Sequence, residues 1–399
     1  MDSNEIRSFF VCVKNGKIVA YILVVKCMEN ILNYVNLRKD ITFQMSPFNS
    51  VDLLVLADLS YIDWDGIVGE DEKYLIDACK EYFQVRNEEQ INQRFLFSKN
   101  LPNLLFSLME NVRFRNVKIK KYQQVFDEDK LIQFGAITFV LEDESLVVSY
   151  RGTDSSITGW KENLLMTHSV DLPCQVLAKE YLESIIKENK KIASSFFGLK
   201  KKEIIPSIYV TGHSKGGNLA MYASLKAEID SSCIKNVVSF DGNGFLTGFW
   251  DGLNSDKIVN YIPKGSIVGR VLEHREAYRI MDACERGLSQ HDTFNWSVGC
   301  NDFKYVDALS GESDEVLKRI DELLFSKSLE QRKVYTDLIG VFFDKMEIFT
   351  IGDMSDLSLR QAISGLKELR GLSAEEIKFL FDIVRFIIQQ SGSILKGDK

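Results

Sequence analysis

Proline is nearly absent from this chain, with five residues in 399. That scarcity argues against long disordered linkers. Histidine is scarcer still, with four, so any histidine-dependent chemistry has few candidates. The seven cysteines, Cys12, Cys27, Cys79, Cys174, Cys233, Cys284 and Cys300, include no C-x-x-C pair. An odd count at irregular spacing argues against a disulfide frame or a zinc site and reads as reduced thiols of a cytoplasmic protein. There is no basic excess: the net charge is −8. A nucleic-acid partner is therefore not expected, because phosphates want a basic stripe. No apolar run reaches the roughly 20 residues of a membrane helix. The opening Met1-Asp2-Ser3-Asn4-Glu5 is acidic, unlike a secretory signal.

What is present is ordinary for a soluble globular protein: 45% hydrophobic and 27% charged residues. The length suits one large domain with a smaller appendage. Residues 1–27 read as an N-terminal extension. Two apolar segments there flank Asn15-Gly16, a dipeptide that favours a tight hairpin turn. Met28 begins a second plausible opening, so this piece is either an upstream element or lies outside the translated protein. Residues 28–125 read as mainly helical, with helical spacing in Val51–Leu59 and Leu101–Leu108. The acids Asp58, Asp63, Asp65, Glu70 and Asp71 are dispersed and read as a solvated face.

From about residue 126 to 312 the pattern becomes that of an α/β core. Phe134–Leu141 and Leu146–Tyr150 read as paired strands joined by a turn at 142–145. A helix is expected from Lys179 to Ala193, a strand at Ile208–Val210, a helix from Lys215 to about Ala227 and a strand at Val237–Phe240. Such alternation calls for a mostly parallel sheet covered by helices. Residues 313–399 read as a C-terminal helical region. Ser373-Ala374-Glu375-Glu376 has the form of a capping box. Phe379, Leu380, Ile383, Val384, Ile387 and Ile388 then form an apolar stripe suited to core packing.

The chemistry centres on Gly212-His213-Ser214-Lys215-Gly216, a G-x-S-x-G sequence between a strand-like and a helix-like segment. A nucleophilic serine needs a sharp strand-to-helix turn that exposes its Oγ, and small residues on both sides let strand and helix approach. A helix starting just after Ser214 also aims free amides at the site, where an oxyanion could be held. The chain order in this arrangement is serine, acid, histidine. His168 and His213 precede the serine and are disfavoured. Of the remaining two, His291 sits on a polar loop and is preferred over His274. Asp241 opens a loop after the strand Val237–Phe240 and is the leading acid; Glu273, Asp282 and Asp292 remain alternatives. Tyr150-Arg151-Gly152-Thr153 ends an earlier strand, so the Thr153 amide joins that of Lys215 as an oxyanion donor.

With these residues in view, the chain resembles class 3 lipases, which carry an F-R-G-T/S loop and a G-H-S-x-G-G elbow. It is more similar to a bacterial lipase-like family of the Mbeg type. Ser46–Asp52, Leu59-Ser60-Tyr61, Gly159-Trp160-Lys161-Glu162, Gly212–Ala220, Ser239–Gly242 and Gln290-His291-Asp292 carry that resemblance, which covers most of residues 28–300. It implies an α/β-hydrolase fold and hydrolase activity; with the residue pattern, the fold expected is an α/β-hydrolase core with flanking N- and C-terminal helical regions. One position departs: where class 3 lipases place the catalytic aspartate, before an Ile-Val step, this chain has Ser266. Either Asp241 replaces that acid or the triad is incomplete.

The expectation is a cytoplasmic serine esterase or lipase with Ser214 as nucleophile, His291 as base and Asp241 as its orienting acid. Its substrate would be a small-molecule or lipid acyl ester, with no metal or organic cofactor and no integral membrane segment. The flanking helices would cover the site and shape an apolar acyl pocket. A thioesterase or peptidase using the same residues, or a lipase-like binding module, are the rivals.

Overall fold

The structure is a computed structural model that describes residues 5–14, 17–26, 30–93, 100–194, 201–350, 353, 357, 359–369 and 371–396. Strands β1 (Glu5–Lys14) and β2 (Lys17–Lys26) pair antiparallel, with Lys14 opposite Lys17. The expected turn at Asn15-Gly16 lies outside the described residues. The main sheet has eight strands: β3 (Lys73–Tyr74), β4 (Lys118–Asp127), β5 (Ile132–Val140), β6 (Leu146–Tyr150), β9 (Ile208–His213), β10 (Ile234–Phe240), β11 (Ile258–Pro263) and β12 (Ala277–Met281). Their spatial order is β12-β11-β10-β9-β6-β5-β4-β3. From β6 to β12 all neighbours are parallel; β3, β4, β5 and β6 pair antiparallel. A small antiparallel pair, β7 (Lys191–Ser194) and β8 (Lys201–Ile204), precedes β9.

Both faces of the sheet are buried, which is why β5 reads as an unbroken buried run rather than a clean alternation. Successive residues of β5 and β6 feed opposite cores. Ile137, Phe139 and Val147 pack with helices α1 (Ile31–Leu37), α2 (Ser50–Asp58), α3 (Leu75–Val85) and α5 (Leu101–Leu108). Phe134, Ala136, Val148 and Tyr150 face α7 (Pro173–Asn189) and α8 (Lys215–Lys226). A short α4 (Glu88–Gln93) follows α3.

Strand β4 and the two-residue β3 lie within a stretch whose sequence reads as helical. The reason is physical. In Lys118–Asp127 only Ile119 is fully buried, so polar and apolar residues do not alternate there.

The third core belongs to the C-terminal region. Helices α9 (Asp314–Ile320), α10 (Leu329–Lys345), α11 (Leu359–Glu368) and α12 (Ala374–Lys396) follow the sheet. Tyr335, Ile339, Phe342, Phe379, Leu380 and Val384 pack with Ile157, and Trp160 and Leu164 lie against them; all three belong to α6 (Ile157–Leu165). Ser373 and Glu376 make the expected reciprocal cap, with backbone–side-chain bonds of 2.7 and 3.2 Å. The side chains of Ile387 and Ile388 lie outside the described residues. Among the described residues no helix is long and apolar enough to cross a membrane.

The motif Ser46–Asp52 has a clear role in the first core. Asn49 caps α2, accepting from the amides of Val51 and Asp52. Asp52 meets Arg113 in a fully buried pair, with Arg113 Nε donating to Asp52 Oδ1 at 2.7 Å. The same guanidinium donates to the carbonyls of Ile41, Ser46 and Pro47. Removing it strands a buried carboxylate and three carbonyls. Arg113→Met should therefore lose about 3–5 kcal/mol of stability, read by chemical denaturation.

Candidate active site

Strand β9 passes into helix α8 through a single residue, Ser214, held at φ 59° and ψ −130°. Positive φ is rare for a residue with a side chain and marks a strained turn. The joint needs its glycines. A Cβ on Gly212 would strike the backbone of Gly216, and one on Gly216 would strike the carbonyl of Tyr150 on neighbouring β6. Lys215 is the first residue of α8, so its amide has no partner inside the helix.

The other predicted residues gather at the carboxyl ends of adjacent parallel strands, where ligand sites of open α/β sheets form. Thr153 follows β6, and its hydroxyl meets Asn163 Nδ2 at 2.8 Å. Asp241 follows β10 at φ 50° and is fully buried. His291 ends a 3₁₀ turn, Gly287–His291, beyond β12. Its Nδ1 lies 2.7 Å from Asp241 Oδ2. With the Nδ1 proton given to the carboxylate, Nε2 is left to accept one.

Ser266, which stands in the place of the expected aspartate, donates its hydroxyl to Asp241 Oδ1 at 2.5 Å. The Gly269 amide donates to the same oxygen at 3.1 Å and to Ser266 Oγ at 3.1 Å. Asp241 thus spends one oxygen on this support and the other on His291. Ser266, three residues beyond β11, thus supports a carboxylate at the end of β10.

His213, disfavoured as a base, has a different place. Its Nε2 lies 2.8 Å from the backbone carbonyl of His291, and its Nδ1 lies 2.9 Å from Tyr61 Oη. A carbonyl only accepts, so Nε2 carries the proton. Burial, with the nearby His291 second, pushes the His213 pKa well below the ordinary histidine value. Burial likewise pushes Tyr61 upward, so its hydroxyl keeps the proton it donates to Nδ1. The rings of His213 and His291 lie 4.5 Å apart. The residue before the serine therefore pins the backbone of the histidine. The sequence flagged Leu59-Ser60-Tyr61 only as part of a resemblance; a half-buried tyrosine reaching the elbow was not legible in it.

The remaining alternatives are occupied elsewhere. His274 pairs with buried Glu276 at 2.6 Å, and Glu273 binds Arg275. Asp282 holds Lys264, and Asp292 caps the turn Thr293–Asn295. His168 meets Thr336 of α10. Of the dispersed acids, Asp63 pairs with Arg86, whereas Asp58 is buried and accepts from Thr293 Oγ1 at 2.9 Å. Burial raises the Asp58 pKa well above the usual carboxyl range.

Fold and site together define an α/β-hydrolase fold: a largely parallel sheet wrapped by helices, with a serine at a strand–helix elbow. A family model described as Mbeg1-like matches residues 108–342, and the chain belongs to that family. Among solved structures, the chain is similar to one titled "Crystal structure of M37 lipase". The identity is 17%, the match covers 56% of this chain and 70% of that one, and the TM-score is 0.29. No curated protein matches the chain.

Asp58 gives this site a pH signature. A carboxyl whose folded pKa is raised contributes fully below its unfolded value, near pH 4, and its contribution falls as pH rises toward the folded value. Asp58→Asn removes that loss. The stability of the variant relative to wild type should grow from pH 5 to pH 8, by up to about 1.4 kcal/mol per pH unit. Urea unfolding at the two pH values checks it, and a flat difference contradicts it.

Proposed function

We propose that this protein is a serine hydrolase of the esterase or lipase type. Ser214 attacks an acyl carbonyl, while His291 Nε2 takes the hydroxyl proton and later returns it to the leaving group. Asp241 keeps His291 in the required tautomer and stabilises the imidazolium. The amides of Thr153 and Lys215 hold the oxyanion. The observation that carries this reading is the 2.7 Å Asp241–His291 hydrogen bond, in a chain that also holds a serine in a left-handed strand–helix elbow. The contact of the His213 and His291 rings keeps the histidine next to the nucleophile's own chain segment.

Chain order supports the assignment, running from Ser214 through Asp241 to His291. The substrate is a small-molecule or lipid acyl ester, and the mechanism needs no metal. The buried thiols Cys79, Cys174 and Cys233 fit a reducing cytoplasm.

A fluorophosphonate probe should label the wild-type protein, and Ser214→Ala should abolish labelling. Asp241→Asn should keep the fold and lower kcat on a short p-nitrophenyl ester by about three to four orders of magnitude. A wild-type protein that resists the probe and turns over no ester overturns the reading. Labelling with turnover of acyl thioesters alone would make it a thioesterase.

A further inference from the structure

Behind the proposed oxyanion site lies a buried polar cluster that the serine chemistry leaves unused. The Lys215 side chain turns inward and is 1% exposed. Its ammonium donates to Gln133 O, Gln133 Oε1 and Glu162 Oε2, each at 2.6 Å. All three of its protons are thereby engaged. An ammonium cannot accept, so the side-chain atom of Gln133 that faces it must be the oxygen. The amide nitrogen then faces the other way, and Nε2 donates to the carbonyl of Gly152 at 3.4 Å.

That carbonyl matters because its peptide also contains the Thr153 N–H. In a trans peptide the C=O and N–H point in opposite directions, and no described peptide bond is cis. A donor holding the Gly152 carbonyl from behind therefore sets where the Thr153 amide points. The cluster is also shaped for Gln133. A Cβ on Gly159 would lie 2.9 Å from Gln133 Oε1, so glycine leaves the room that the glutamine fills. Glu162 is fully buried and offsets the lysine charge.

We propose that Gln133, held by Lys215 and Glu162, is a positioning residue for the oxyanion site. Lys215 then governs both donors: its own amide is one, and its side chain orients the other through Gln133. The hydrogen-bonded series from ammonium through two amides also polarises the Thr153 N–H toward a developing negative charge. This inference rests on the serine-hydrolase reading.

The test uses the full chain, a short p-nitrophenyl ester and an alkyl trifluoromethyl ketone, whose adduct on the serine carries an oxyanion. Gln133→Met should lower kcat by about tenfold to a hundredfold, less than the loss of a whole donor, with KM little changed. Affinity for the ketone should fall by the same factor. Gln133→Leu likewise removes the donor to Gly152 without adding charge, so it should show the same loss; it decides alone if the methionine variant fails to fold. Wild-type kcat and ketone affinity in either folded variant overturn the proposal, even where the melting temperature falls, because the role would then be structural. Wild-type protein that forms no Ser214-dependent ketone adduct removes the hydrolase reading and this inference together. A Ser214-dependent adduct unaffected by Gln133 removes the inference alone.

Discussion

Everything in the site depends on one backbone constraint: β9 must end and α8 begin within a single left-handed residue. Ser214 takes φ 59°, a conformation that a serine holds only where its surroundings over-determine it. Those surroundings are visible. The Ser214 amide donates to the Phe240 carbonyl at 2.9 Å, and the Ser214 carbonyl accepts from Gly217 at 2.8 Å. The strand on one side and the helix on the other are therefore tied to the serine directly. The close packing of Gly216 on Tyr150 brings β6 against the elbow, and so places the loop with Thr153 beside the first amide of α8. A bulkier residue at Gly216 would push β6 away from α8 as well as strain the turn.

The acid follows from the same geometry. Asp241 comes directly after Phe240, whose carbonyl holds the Ser214 amide. An acid at the end of β10 is thus fixed relative to the serine by one residue of chain. Ser266 lies one strand further out and could reach His291 only from there. Its hydroxyl instead occupies one oxygen of Asp241, together with the Gly269 amide. Two neutral donors stabilise the buried carboxylate without adding a competing charge. Ser266 and Asp241 thus form a hydrogen-bonded pair across the ends of neighbouring strands.

The elements around the elbow were legible in the sequence because local chemistry determines them. Gly212, Gly216 and the strand–helix switch around Ser214 announce the turn, and Asp241 and His291 stand out by loop position and chain order. The parallel strands β9 and β10 read correctly as apolar runs. What the sequence hid is contact at long range. Gln133 and Lys215 are 82 positions apart, and a lysine beside the elbow serine looks like a solvated charge until its partners are known. Tyr61 and His213 are similarly remote, and β4 escaped notice because its side chains are mostly half-buried.

The C-terminal helices acquire a physical role from where they rest. They pack on α6, the helix that follows the Thr153 loop, through Ile157, Trp160 and Leu164. Hydrogen bonds reinforce that seat: the Ile157 amide donates to the Phe349 carbonyl at 2.9 Å, and the Arg332 guanidinium donates to the Thr167 carbonyl at 3.0 Å. Helix α12 also lies against the 3₁₀ turn that ends in His291. One module thus touches the segments bearing both the Thr153 loop and His291. Loops are the least constrained parts of such a fold, and the proposed chemistry would need their geometry held closely. Bracing both from the outside lets the sheet fix Ser214 and Asp241 while the helices limit the freedom of Thr153 and His291.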